Sequence, residues 1–120
     1  MAFQRILKQL VTSVDRSIAA LFLDYEGETV ELVRAHDLLP DDLKIIGAYQ
    51  GIFLSQLRTL CSHLEAGAPH RVKFEFARVK ILSSDLKDGY YVVLLMEHDG
   101  NEGLAWHRLD HCRVQLLEEM

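Results

Sequence analysis

Two continuous apolar runs constrain this chain most. Arg16 to Asp24 encloses Ser-Ile-Ala-Ala-Leu-Phe-Leu, and Tyr90 to Met96 reads Tyr-Tyr-Val-Val-Leu-Leu-Met. Neither alternates between apolar and polar residues. At strand length, such a run is apolar on both sides and must be covered on both faces. The two runs therefore belong side by side at the centre of one sheet.

The remaining elements arrange themselves around that pair. Phe3, Ile6, Leu7 and Leu10 recur at helical spacing and predict an amphipathic helix over residues 2–13. Tyr25-Glu26-Gly27-Glu28 predicts a turn, and Thr29 to Ala35 a second strand. Val72, Phe74 and Phe76 alternate with Lys73 and Glu75, so the third strand has one buried and one polar face. An amphipathic strand of this kind fits a sheet edge, which is a pairing hazard unless it is used or protected. Arg78 to Ser84 forms a fourth strand, and Asp88-Gly89 is a hairpin signal leading into the fifth. Asn101 can cap a last helix over residues 102–118. The predicted order is α-β-β-α-β-β-β-α.

The long helix between strands two and three, residues 41–66, has two unlike faces. One is a wide apolar stripe: Ile46, Tyr49, Phe53, Leu57, Leu60 and Leu64. The other, about 150° around the wheel, holds the small residues Gly47, Gly51 and Ser55. Two helix-interior glycines cost roughly 2 kcal/mol relative to alanine. In return they let another backbone come close. At ~1.5 Å per residue the helix is about 39 Å long, the full width of a domain this size. The large stripe is expected to cover the sheet, and the small stripe to meet a partner. The competing arrangement turns Gly47 and Gly51 toward their own sheet. Pro40 and the acids Asp41 and Asp42 suit the helix start, and Gly67 followed by Pro69 its end.

The whole chain, residues 1–120, reads as one domain, and at 49% hydrophobic residues it can build a core without staples. Its two cysteines, Cys61 and Cys112, sit in apolar helix patterns, which suits reduced thiols and a cytoplasmic location. Arg5 and Lys8 interrupt the first apolar run, so it does not resemble a secretory leader. No apolar stretch approaches the ~20 residues of a membrane span, and no membrane insertion is expected. With a net charge of −5 and no basic cluster, nucleic acid is not an expected partner.

Side-chain chemistry is thin. His107 and His111 stand at i and i+4 with Cys112 beside them, a spacing that can hold zinc. But Arg108 follows the first histidine where metalloproteases carry glutamate, and no metal is expected. Ser83-Ser84 and Ser62-His63 have no elbow glycines. No Gly-rich loop followed by Lys-Ser/Thr is present, so nucleotide binding, cofactor binding and enzymatic activity are not expected.

The element order, the acidic-glycine turn at Asp24, Glu26 and Gly27, and the small residues of the central helix together resemble the roadblock/dynein-light-chain family. So does the closing stretch Asp88-Gly89-Tyr90-Tyr91 … Leu94-Leu95 … Asp99-Gly100-Asn101 … Gly103-Leu104. Within that family the chain is similar to the bacterial MglB-type proteins. The resemblance implies an α/β (α+β sandwich) fold. Its five-stranded, mainly antiparallel sheet carries the long helix on one face and the terminal helices on the other. It implies homodimers whose third strands join into one continuous sheet. It also implies a non-enzymatic regulator of a small Ras-like GTPase in cell polarity and motility, stimulating GTP hydrolysis or positioning the GTPase without an arginine finger. A scaffold subunit of a GTPase or motor complex is the alternative, and a small-molecule sensor a more distant third. On these grounds the partner surface is expected at Lys44, Gly47, Ala48, Gln50, Gly51, Leu54, Ser55 and Arg58 of the long helix. Val72, Lys73, Phe74 and Glu75 of the third strand complete it.

Overall fold

The structure, a computed structural model, describes residues 2–35 and 40–120, with the backbone alone at 40–44. Its elements are α1 (Ala2–Ser13), β1 (Ser17–Leu23), β2 (Thr29–Arg34), α2 (Pro40–His63), β3 (Arg71–Glu75), β4 (Val79–Asp85), β5 (Tyr91–Glu97) and α3 (Glu102–Glu119). The strands form one antiparallel sheet in the order β2-β1-β5-β4-β3. The two apolar runs, β1 and β5, are neighbours at its centre, and amphipathic β3 is an edge.

Because side chains alternate along a strand, each central strand feeds two cores. Ala20, Phe22, Val92, Leu94 and Met96 point to one face. There they meet Leu7 and Leu10 of α1 and Leu109 and Leu116 of α3. Ala19, Leu21, Leu23, Tyr91, Val93 and Leu95 point to the other face, which α2 covers. This is the layering expected of a strand pair apolar on both sides.

Local chemistry sets the boundaries. Asp24 Oδ1 accepts from the N–H groups of Glu26 (2.9 Å) and Glu28 (3.0 Å), closing the β1–β2 turn. Asp88 and Gly89 both take positive φ, 58° and 80°, the geometry of a tight hairpin turn that matches strand twist. Asn101 Oδ1 accepts from Leu104 N–H at 3.0 Å and caps α3.

One boundary differs from the sequence expectation. The end of α2 was expected at Ala66, before Gly67, but α2 stops at His63. Glu65 adopts φ 54°, Ala66 N–H bonds Cys61 O at 2.9 Å, and Glu65 N–H bonds Ser62 O at 3.3 Å. That is a Schellman closure with glutamate in the left-handed position that glycine usually takes. Gly67 (φ 83°) serves the connection beyond it.

Candidate partner-binding surface

The orientation of α2 decides what this chain can present. Its inward stripe is Gly47, Gln50, Gly51, Leu54 and Arg58, at helical spacing. Gln50 is 3% exposed and Leu54 5%. Gly47 lies over β1: a Cβ there would stand 2.6 Å from Leu23 Cδ2. A Cβ at Gly51 would stand 2.6 Å from the Tyr91 hydroxyl and 3.2 Å from Gly27 Cα. Real Cβ contacts do not come that close, so the glycines are what let α2 lie down on the sheet.

Polar bonds fix the helix in that seat. The buried Tyr91 hydroxyl donates to Gly47 O at 2.9 Å. Burial pushes its pKa up to about 12. Ser83 Oγ donates to Gln50 Oε1 at 3.0 Å, both residues being buried. Arg58 Nη2 donates to Gly89 O at 3.3 Å, tying the helix to the β4–β5 turn. The Tyr91 hydroxyl and the Ser83–Gln50 pair are thus buried with partners, which avoids the cost of burying them unpaired.

This arrangement corrects the assignment of faces. Gly47, Gln50, Gly51 and Leu54 were expected in a partner seam, but they face their own sheet. The physical reason is the size of what lies beneath. Leu21, Leu23 and Tyr91 already fill the space above the sheet, so only small residues fit at closest approach. Arg58 is half-buried and engaged with Gly89 O, so it is a structural contact. Ala48 and Ser55 are exposed. The side chain of Lys44 lies outside the described residues.

The large stripe, expected as core, faces outward. Tyr49 is 56% exposed, Leu60 52% and Leu64 67%, with Ile45, Ile52 and Phe53 also exposed. Ile46 and Leu57 alone of that stripe are half-buried. The apolar face runs on into the β3 edge. Phe53 and Phe74 rings stand 5.4 Å apart. They border an apolar groove of about 240 Å³ with Gln56, Leu57 and Leu60. Val72 and Phe74 of β3 are half-buried on this side, while Phe76 beyond them is 55% exposed.

The other side of β3 is charged and tied to α3. Arg71 pairs with Asp110 and stacks on Trp106, its Cζ 5.0 Å from the ring centroid. Lys73 Nζ lies 3.2 Å from Glu75 and 3.3 Å from Glu102. His98 Nε2 lies 2.8 Å from Glu75. Hydrogen bonds from His98 and then Lys73 hold the Glu75 carboxyl below its usual range. Those to Glu75 and Glu102 raise the Lys73 ammonium above its own.

Candidate chemistry elsewhere is quickly placed. His107 and His111 are both exposed on α3, and Asp110 between them is engaged by Arg71. Among the described residues no cluster of three or more His, Cys, Asp or Glu could hold a metal ion. Cys112 is buried, which pushes its thiol up to about 12, and Cys61 is half-buried. Among the described residues no helix is long and apolar enough to cross a membrane.

Comparison with solved structures settles the architecture. A roadblock/LC7 domain from Streptomyces avermitilis superposes with a TM-score of 0.86 at 16% identity, over 97% of this chain and 95% of that one. Myxococcus xanthus MglB gives 0.86 at 10% identity, over 97% and 92%. The gliding protein MglB from Thermus thermophilus gives 0.87 at 13% identity, over 98% and 87%.

The chain has the roadblock fold.

No family model and no curated protein matches the sequence itself. The roadblock fold is thus shared here at identities where layout survives and individual residues do not. In this copy of the roadblock fold, the outer face of α2 and the edge of β3 form one continuous apolar surface that no other described residue covers.

Proposed function

We propose that this chain is a homodimeric regulator of a small Ras-like GTPase, acting through paired α2 helices and a sheet continued across the β3 edges. It stimulates hydrolysis or positions the GTPase, has no active site of its own, and works in the cytoplasm. One observation carries the reading. Five large apolar residues of α2, Ile45, Tyr49, Ile52, Phe53 and Leu60, are exposed on the side away from their own sheet and run into an open strand edge. Exposed apolar patches of this kind mark contact surfaces, and an open edge is a template for another strand. The fold shared with MglB supports the choice of a GTPase as the second partner.

Two measurements test this. Light scattering after gel filtration is expected to give a dimer, and Leu60→Asp with Tyr49→Asp a folded monomer. Turnover of GTP by a Ras-like GTPase is expected to rise when the chain is added. Stable binding with unchanged turnover would make the protein a scaffold. A wild-type monomer that binds no GTPase in either nucleotide state would overturn the reading.

A further inference from the structure

The β3 edge carries enough information to fix the register in which two copies meet; the inference rests on the homodimer reading above. In an antiparallel pair, alternate residues direct both N–H and C=O to the same neighbour. His70 O accepts from Asp85 N–H, and Phe76 N–H donates to Val79 O. The pairing of β3 with β4 keeps one register between these two bonds. Even-numbered residues therefore bond β4, and Arg71, Lys73 and Glu75 turn their N–H and C=O groups to the open edge.

A second copy in antiparallel orientation must keep the two faces of the sheet matched, because a slip of one residue would place apolar side chains against charged ones. Three registers centred on the strand satisfy this, with the twofold axis at Val72, Lys73 or Phe74. Centring on Val72 sets Arg71 opposite the partner's Lys73 twice, like charge on like. Centring on Lys73 sets Arg71 opposite the partner's Glu75 twice but also sets the two Lys73 side chains against each other. Centring on Phe74 sets Lys73 opposite the partner's Glu75 twice, with no like pair. Directly opposed unlike charges stabilise a strand pair, and like charges destabilise it.

The apolar face selects the same register independently. Phe76 is 55% exposed in the single chain. With the axis at Phe74, each Phe76 lies opposite the partner's Val72, and the two Phe74 rings meet at the axis. The groove beside Phe53 and Leu60 then opens onto that axis, so the outward faces of the two α2 helices close over it.

We infer that two copies of this chain pair through β3 in the register that opposes Phe74 to Phe74 and Lys73 to Glu75. Reciprocal Lys–Glu pairs act as the recognition code. The code admits a second copy and rejects a strand with like charges at those places.

Disulfide trapping tests it in a Cys61→Ser background. Opposed residues of a non-hydrogen-bonded pair have Cα atoms ~4.5 Å apart, inside the range a disulfide spans. Phe74→Cys should cross-link to itself at least ~10-fold faster than Val72→Cys, whose copies would sit roughly two positions farther along each strand. An equal mixture of Val72→Cys and Phe76→Cys chains should give mixed dimers, which covers any loss of folding at Phe74. Charge reversal gives the second arm. Lys73→Glu alone and Glu75→Lys alone should each weaken the dimer, on the order of 10-fold. The double variant should regain it, and so should a mixture of the two single variants. Fastest cross-linking at residue 72 or 73 in a dimer, or no recovery in the double variant, would overturn the register. A wild-type monomer by light scattering would instead overturn the dimer reading beneath it.

Discussion

The two faces of the sheet are covered in opposite ways. On one, α1 and α3 bury Leu7, Leu10, Leu109 and Leu116 against Phe22, Leu94 and Met96. On the other, α2 meets the sheet through two glycines, Leu54, the half-buried Ile46 and three hydrogen-bonded polar contacts, and keeps most of its large residues outside. The first face is held by apolar burial. The second is held by close approach and satisfied polar groups. Apolarity does not by itself tell a helix which way to face; the height of the surface beneath it does. The α2 side is consequently the one with apolar area left over for a partner.

The contrast can be broken or sharpened by mutation. The largest effect is expected on the α1/α3 side. Leu116→Ala or Leu7→Ala should cost about 2–5 kcal/mol in chemical denaturation, because each leaves a cavity in a closed core. Next comes Gly51→Leu, which drives a side chain into the Tyr91 hydroxyl and the Gly27 backbone. A cost of about 1–3 kcal/mol is expected from overpacking, partly offset by better helix propensity. If Gly51→Leu left stability intact, α2 would not be seated as described.

Smaller still is Tyr91→Phe, which removes the bond to Gly47 O. It should cost roughly 0.5–1.5 kcal/mol. The same hydroxyl gives a pH test. Its pKa is raised from the ordinary 10.0 to about 12 in the folded chain. The stability it contributes is therefore whole below the unfolded value and lost as pH climbs through the folded one. Denaturation midpoints should fall between these two values in the wild type, and less steeply in Tyr91→Phe. Smallest in stability is Leu60→Ser on the outer face, within about 0.5 kcal/mol for the single subunit. Its expected effect is on self-association, read by light scattering. A large loss of subunit stability would mean that the outer stripe is core after all.

Much of the architecture was legible beforehand. Non-alternating β1 and β5 could only be central, because their apolar side chains point both ways. The alternation of Val72, Lys73, Phe74 and Glu75 marked the edge. Asp88-Gly89 and Asn101 marked the turn and the cap through their own backbone chemistry. The candidate surface was legible only in part. β3 was readable as an amphipathic edge strand, but the faces of α2 were exchanged. Signals for the true orientation were present. Gln50, Leu54 and Arg58 share the glycines' side of the wheel. A tyrosine at the start of a central strand needs a partner for its hydroxyl, and the Gly47 carbonyl, approachable because Gly51 carries no Cβ, supplies one. Nothing along α2 itself ranks those hints above six large apolar residues on the opposite side.

The sequence by itself determined the element order, the central strand pair, the exposed edge and the local stops and turns. These depend on side-chain periodicity and on contacts within a few residues. Tertiary structure alone decided which side of α2 is inside. That depends on Leu21, Leu23 and Tyr91, which lie far from the helix in sequence and stand directly beneath it in space. The volume they occupy makes the glycines the core and leaves the large residues as a surface.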